Sequence, residues 1–177
     1  MEKRSNIAVE SGELDDLDLR LLDALQRNAR STFAELGALV GLKPPAVHDR
    51  VKRLEGRGYV RRYSALLDSK LLGLELAAFV SCYTTPETRY DDFTRALAQM
   101  PEVSEVHSVA GEESFVLKVF TRSTRHLDDF LTRLKAIPGM ARTKTTIVLS
   151  TVYEPAELSL RELVQEVAPP ARLRAIP

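Results

Sequence analysis

Seven cations crowd one short stretch of the chain. Lys43, Arg50, Lys52, Arg53, Arg57, Arg61 and Arg62 stand between Lys43 and Tyr63, against two acids, Asp49 and Glu55. That stretch carries +5, whereas the whole 177-residue chain has a formal net charge of zero. Cations at this density neutralise nucleic-acid phosphates and release their counterions. Helical spacing puts Pro45, His48, Asp49 and Lys52 on one outward face, with Arg53 toward its flank. His48 and Asp49 are therefore the candidates for base edges. Lys43, Lys52, Arg53, Arg61 and Arg62 are the candidates for phosphates. The plain alternative is a solvated basic helix face.

A second candidate is the loop Val109-Ala110-Gly111-Glu112-Glu113-Ser114. Glycine permits positive φ and close backbone approach to a ligand. Loop N–H groups suit a carboxylate, Glu112 or Glu113 suits an ammonium group, and the Ser114 hydroxyl suits either. Such a loop could hold a ligand that carries those groups, but on the residues alone a hairpin turn with solvated acids is the preferred reading. Adjacent residues in an extended segment face opposite ways, so Glu112 and Glu113 make no acid–base dyad.

Other chemistries find little support. His48, His107 and His126 fall in different elements without a neighbouring ligand, so no metal site is expected. His107 reads as a half-buried structural or interface histidine beside Glu105. The lone Cys82 lies in an apolar run and reads as core, which also suits a reducing compartment. No phosphate-binding glycine loop occurs, and no cofactor is expected. No convergent set of titratable groups supports an enzyme. Apolar runs fall short of the roughly 20 residues that span a bilayer, and the polar start lacks a signal core. The expectation is a cytoplasmic protein without membrane contact.

The elements that must position these residues follow from periodicity. Leu17, Leu21, Leu22 and Leu25 recur at helical spacing after Leu14, behind the acids Asp15, Asp16 and Asp18, which favour the positive end of a helix dipole. Thr32 with Glu35 three residues on is a capping box opening a second helix, ended by Gly41. A third helix runs from about Pro44 to Arg57, with Val47, Val51 and Leu54 inward and Gly58 as a left-handed cap. Lys43 cannot cap it, and Pro44 before a second proline suggests a start one residue late. Tyr59–Leu67 reads as an extended wing. The second half reads as strand (Leu74–Thr84), helix (Arg89–Met100), strands (Val103–Ala110 and Ser114–Thr121), helix capped by Ser123, and strand (Arg142–Tyr153). That order is βαββαβ, a ferredoxin-like arrangement. Both faces of the first of these strands are largely apolar, which marks association.

The chain order carries a resemblance. The stretch LDDLDLRLLDALQRNARSTFAELGALVGLKPPAVHDRVKRLEGRGYVRRYSALLD resembles the N-terminal half of the leucine-responsive/asparagine regulator (Lrp/AsnC, feast/famine) family. HSVAGEESFVLKV and TTIVLSTVY resemble its C-terminal effector domain. The resemblance covers about residues 13–153. It implies transcriptional regulation, dimers built on the ferredoxin-like domain, further assembly to octamers, and amino-acid effectors. The family usually has Ser or Thr where Lys43 stands, and many members have an acid where Ser114 stands.

The resulting expectation is an α+β protein with a winged helix-turn-helix followed by a ferredoxin-like effector and assembly domain. Its boundaries are a flexible start (1–12), the DNA-binding domain (13–64), a linker strand (65–73), the effector domain (74–153) and a tail (154–177). An amphipathic turn is expected over Leu158–Val167. The function expected is sequence-specific binding of double-stranded DNA, tuned by a small amino acid. The alternative is an architectural, weakly specific DNA-binder without an effector.

Overall fold

A computed structural model describes residues 14–154, 158 and 160. The expectations for residues 1–12 and for Leu158–Val167, apart from Leu158 and Leu160, lie outside the described residues. The chain divides into two compact units. One takes in the described residues up to Ala65 together with those from Glu154 onward, and the other runs from Leu66 to Tyr153.

The first unit holds three helices, α1 (Asp16–Arg27), α2 (Phe33–Val40) and α3 (Pro44–Gly56). Local chemistry starts each of the first two. Asp15 and Asp18 form a capping box on α1, and Thr32 and Glu35 form one on α2. Each box satisfies two backbone N–H groups that helix geometry leaves unpaired. Gly41 ends α2 in the left-handed region at φ 74°, and Gly58 follows α3 at φ 81°. Leu21, Leu22, Leu25, Leu36, Val40, Val47, Val51 and Leu54 close over one another as the core. Each such side chain, once fully buried, contributes about 1.5–3 kcal/mol.

The second unit is a four-stranded antiparallel sheet in the order β2-β3-β1-β4, with two helices. Its elements are β1 (Leu76–Thr84), α4 (Tyr90–Ala98), β2 (Val103–Ser108), β3 (Phe115–Thr121), α5 (Thr124–Lys135) and β4 (Met140–Ile147). This is the expected βαββαβ order. Ala78, Val80 and Cys82 of β1 and Phe115, Leu117 and Val119 of β3 face Phe93, Leu97, Leu127, Phe130 and Leu134 of the helices. Burial pushes the Cys82 thiol up to about 12, as befits a core residue. The opposite sheet face carries Phe79, which is 44% exposed, and Tyr83, covered by the Arg142 guanidinium 3.6 Å from its ring centre.

Two extended segments differ from expectation. Among the described residues no strand precedes β1, so Tyr59–Leu67 makes no paired wing. The linker strand expected over 65–73 is a turn instead. The Asp68 carboxylate accepts from the N–H groups of Lys70 (2.9 Å) and Leu71 (3.2 Å), and Gly73 turns back at φ 77°. Asp and Gly each offer the backbone an alternative to a ladder, and they prevail here over the leucines between them. The start of α3 also differs: the helix begins at Pro44 itself. Strand ends are shorter than expected, with β4 ending at Ile147 rather than Tyr153.

Candidate nucleic-acid interface and ligand loop

The third helix is held in place by one carboxylate. Asp18 is only 2% exposed. It accepts from the Arg50 guanidinium at 2.7 Å and from Arg53 at 3.0 and 3.1 Å. Arg50 also reaches Asp15 at 2.6 Å. A charge is stable in such a place only when paired, so the cluster locks α3 against α1 at a fixed rotation. For Asp15, burial raises the carboxyl pKa, but the Arg50 bond and the Asp18 N–H outweigh it and hold the group below its ordinary value. Arg20 adds a bond to the Leu39 carbonyl, tying α1 to α2. Gly37 sits where a Cβ would strike the Leu42 carbonyl, so only glycine permits this close approach of α2 to the following turn.

The outward residues of α3 divide into two sets. Arg53 bonds Asp18 through one guanidinium nitrogen, while its side chain remains 43% exposed. Lys43, Pro45, Asp49 and Lys52 are exposed. His48 is half-buried, with its ring edge-on to Phe33 at 5.2 Å and its Nδ1 3.3 Å from the Asp49 carboxylate. Lys43 provides no side-chain cap, and Pro44 and Pro45 occupy the first helical positions. Their missing N–H groups would otherwise need acceptors or an anion. This helix start therefore presents an exposed lysine ammonium and lacks the N–H groups of its first two residues.

Arg61 and Arg62 are exposed in the extended segment that follows. Tyr63 pins that segment to α3 by donating to Glu55 at 2.8 Å. Burial, together with that carboxylate, pushes the Tyr63 hydroxyl up to about 12. The bond keeps both arginines beside the last turn of α3 without any ladder. It links residues eight apart across a turn, and only the aromatic–acid pairing could have signalled it.

The loop from Val109 to Ser114 joins β2 to β3. Val109, Ala110, Gly111 and Glu112 are exposed, and Glu113 and Ser114 are half-buried. Gly111 does not take positive φ, contrary to expectation. The bend is held by other means. The Ser114 N–H donates to the Cys82 carbonyl at 2.9 Å, and its hydroxyl lies 2.8 Å from that of Thr84. Glu113 accepts from the Tyr83 hydroxyl at 3.1 Å. Its own backbone N–H and Tyr83 hold its carboxyl below the ordinary range, with Lys144 and Arg142 adding to the effect. Glu112 is exposed to solvent. His107 is exposed rather than half-buried and meets Glu105 at 2.9 Å.

A cluster not anticipated lies elsewhere in this unit. Glu102 is 7% exposed and accepts from His126 at 2.8 Å and Arg133 at 2.5 Å. The His126 Nδ1 accepts from the Arg122 N–H at 3.2 Å, so its proton sits on Nε2, facing Glu102. These partners are 24 and 31 residues away from Glu102 in the chain, beyond the reach of local pattern. Among the described residues no group of side chains could hold a metal ion, and no helix is long and apolar enough to cross a membrane.

Comparison with known proteins places this arrangement. Residues 14–55 match the AsnC-type helix-turn-helix domain, and residues 77–158 match the Lrp/AsnC ligand binding domain. The chain is 41% identical over 140 residues to the HTH-type transcriptional regulator LrpA of Mycobacterium tuberculosis, covering 79% of this chain and 93% of that one. A transcriptional regulator from Neisseria meningitidis, solved as a complex with L-Met, superposes with a TM-score of 0.81 at 30% identity, covering 85% of this chain and 99% of that one. A feast or famine regulatory protein from M. tuberculosis complexed with L-methionine superposes with a TM-score of 0.78 at 40% identity, covering 82% and 99%. With its capped three-helix unit leading into a βαββαβ unit, the chain belongs to the Lrp/AsnC family of transcriptional regulators.

Proposed function

We propose that this protein is a sequence-specific, cytoplasmic DNA-binding regulator whose operator affinity responds to a small amino acid. The observation that carries the reading is the outward face of α3. Lys43 and Lys52 stand on it without an ion pair among the described residues, while Arg50 and Arg53 fix its rotation through Asp18. A rigid helix with uncommitted cations suits the major groove of duplex DNA. In this reading Lys43, Lys52, Arg61 and Arg62 meet phosphates. Pro45, His48 and Asp49 lie toward the bases.

The effector belongs at the loop Val109, Ala110, Gly111, Glu112, Glu113 and Ser114. Glu112 is the free carboxylate for an ammonium group, and the exposed backbone N–H groups serve a carboxylate. Two similar proteins are described as complexes with L-Met or L-methionine, which supports an amino acid as the ligand class. The half-apolar open face of the sheet, with Phe79 at its centre, supports a homodimer built there, and paired dimers would build an octamer. Effector binding that favours one assembly would change the spacing of the DNA-binding helices by linkage.

Thermal stability across the twenty amino acids tests the effector assignment. A specific ligand raises the melting temperature by mass action. The reading expects one amino acid, or a small chemically related set, to do so. Uniform melting across the panel removes the effector and leaves the architectural alternative.

A further inference from the structure

The last described residues return to the first helix. The Leu158 N–H donates to Gln26 Oε1 at 3.0 Å, and Gln26 Nε2 donates back to the Leu158 carbonyl at 3.3 Å. One side-chain amide thus grips both polar groups of one backbone residue, as a neighbouring strand would. Two residues on, Leu160 packs against the core formed by α1, α2 and α3. The chain therefore leaves this three-helix unit after Ala65 and rejoins it at Glu154. The family match for the ligand-binding domain ends at residue 158, so Leu160 lies beyond it.

We propose that Gln26 and the helical core beside it form a docking site for the residues around Leu158 and Leu160 of the same chain, so that the helix-turn-helix unit depends for its stability on chain from beyond the sheet unit. The amide pair reads backbone position, and Leu160 adds apolar burial. The docking itself rests on the fold alone and needs neither DNA nor effector.

Hydrogen exchange on the full chain tests this, read against a chain ending at Glu154 and against full-length Leu160→Asp. Peptides from α1, residues 16–27, should exchange at least about fivefold faster in both variants, the loss expected when a partly buried leucine and two hydrogen bonds go. Peptides from β1 and β3 should be unchanged, since the sheet unit keeps its own core. Full-length Leu160→Asp guards against a truncated chain that unfolds outright. Exchange of α1 at the full-chain rate in Leu160→Asp overturns the proposal, whatever the truncated chain does.

Discussion

At the residue scale, Asp18 explains more of the interface than any base-facing group. It is buried, negative and shared between two arginines of the third helix. Removing one partner of a buried ion cluster leaves the others uncompensated, so Asp18→Ala should destabilise the helical unit by about 3 kcal/mol in chemical denaturation. Lys52→Ala removes an exposed group and should leave that stability within about 0.5 kcal/mol. On DNA the order reverses. Lys52→Ala should weaken operator and random duplex alike and lower the salt slope by about 0.9, the signature of one lost phosphate contact. His48→Ala should instead weaken operator binding more than random binding. Equal losses on both DNAs for both variants would remove His48 from base reading. The acids at the start of α1 were legible in the sequence as helix-dipole partners. Their tie to arginines some 32–35 residues on was not, because no local rule links such positions.

At the scale of elements, what was legible is what local chemistry decides. Thr32 with Glu35 and Ser123 with the N–H of His126 start their helices as expected. The alternation of β3 is nearly complete, with Phe115, Leu117, Val119 and Thr121 buried and the residues between them half-buried. The wing and linker were not legible, because an extended pattern states backbone preference but not whether a partner strand exists. Tyr63 and Asp68 settle those segments through side-chain bonds. The Glu102 cluster likewise depends on tertiary placement, which brings the turn before β2 to His126 and Arg133 of α5. For Glu102, burial raises the carboxyl pKa, but its own backbone N–H, His126 and Arg133 outweigh this and hold it below the ordinary 4.5. A depressed carboxyl stabilises the fold above its unfolded value and loses that contribution as pH falls through the folded one. Melting temperature should therefore drop as pH falls below about 4.5. Glu102→Gln should melt lower at neutral pH and show a shallower acid slope. An unchanged acid slope would deny Glu102 this role.

For the whole molecule, the sheet supplies the surface on which assembly rests in this account. Phe79 and Tyr83 lie on the face away from the helices, among Ala77, Val116 and Phe120. Phe79→Asp places a charge at the centre of that face and should shift the protein toward monomer in sedimentation, with the helical unit still folded. An unchanged mass would move the interface elsewhere. Both halves of the fold were legible because the two amphipathic patterns are strong and differ in period. The effector was not, because only the loop's C-terminal end is tied to β1, through Glu113 and Ser114, while Glu112 and the exposed backbone remain open to more than one ligand. The central claim is that an amino acid at this loop changes DNA binding. Operator affinity, measured at one fixed salt concentration with each of the twenty amino acids, tests it most directly. The account predicts that an amino acid which raises the melting temperature shifts operator affinity by about fivefold or more, the usual scale of a coupling energy, and that Glu112→Ala abolishes the shift. Operator affinity that stays constant across all twenty would contradict it.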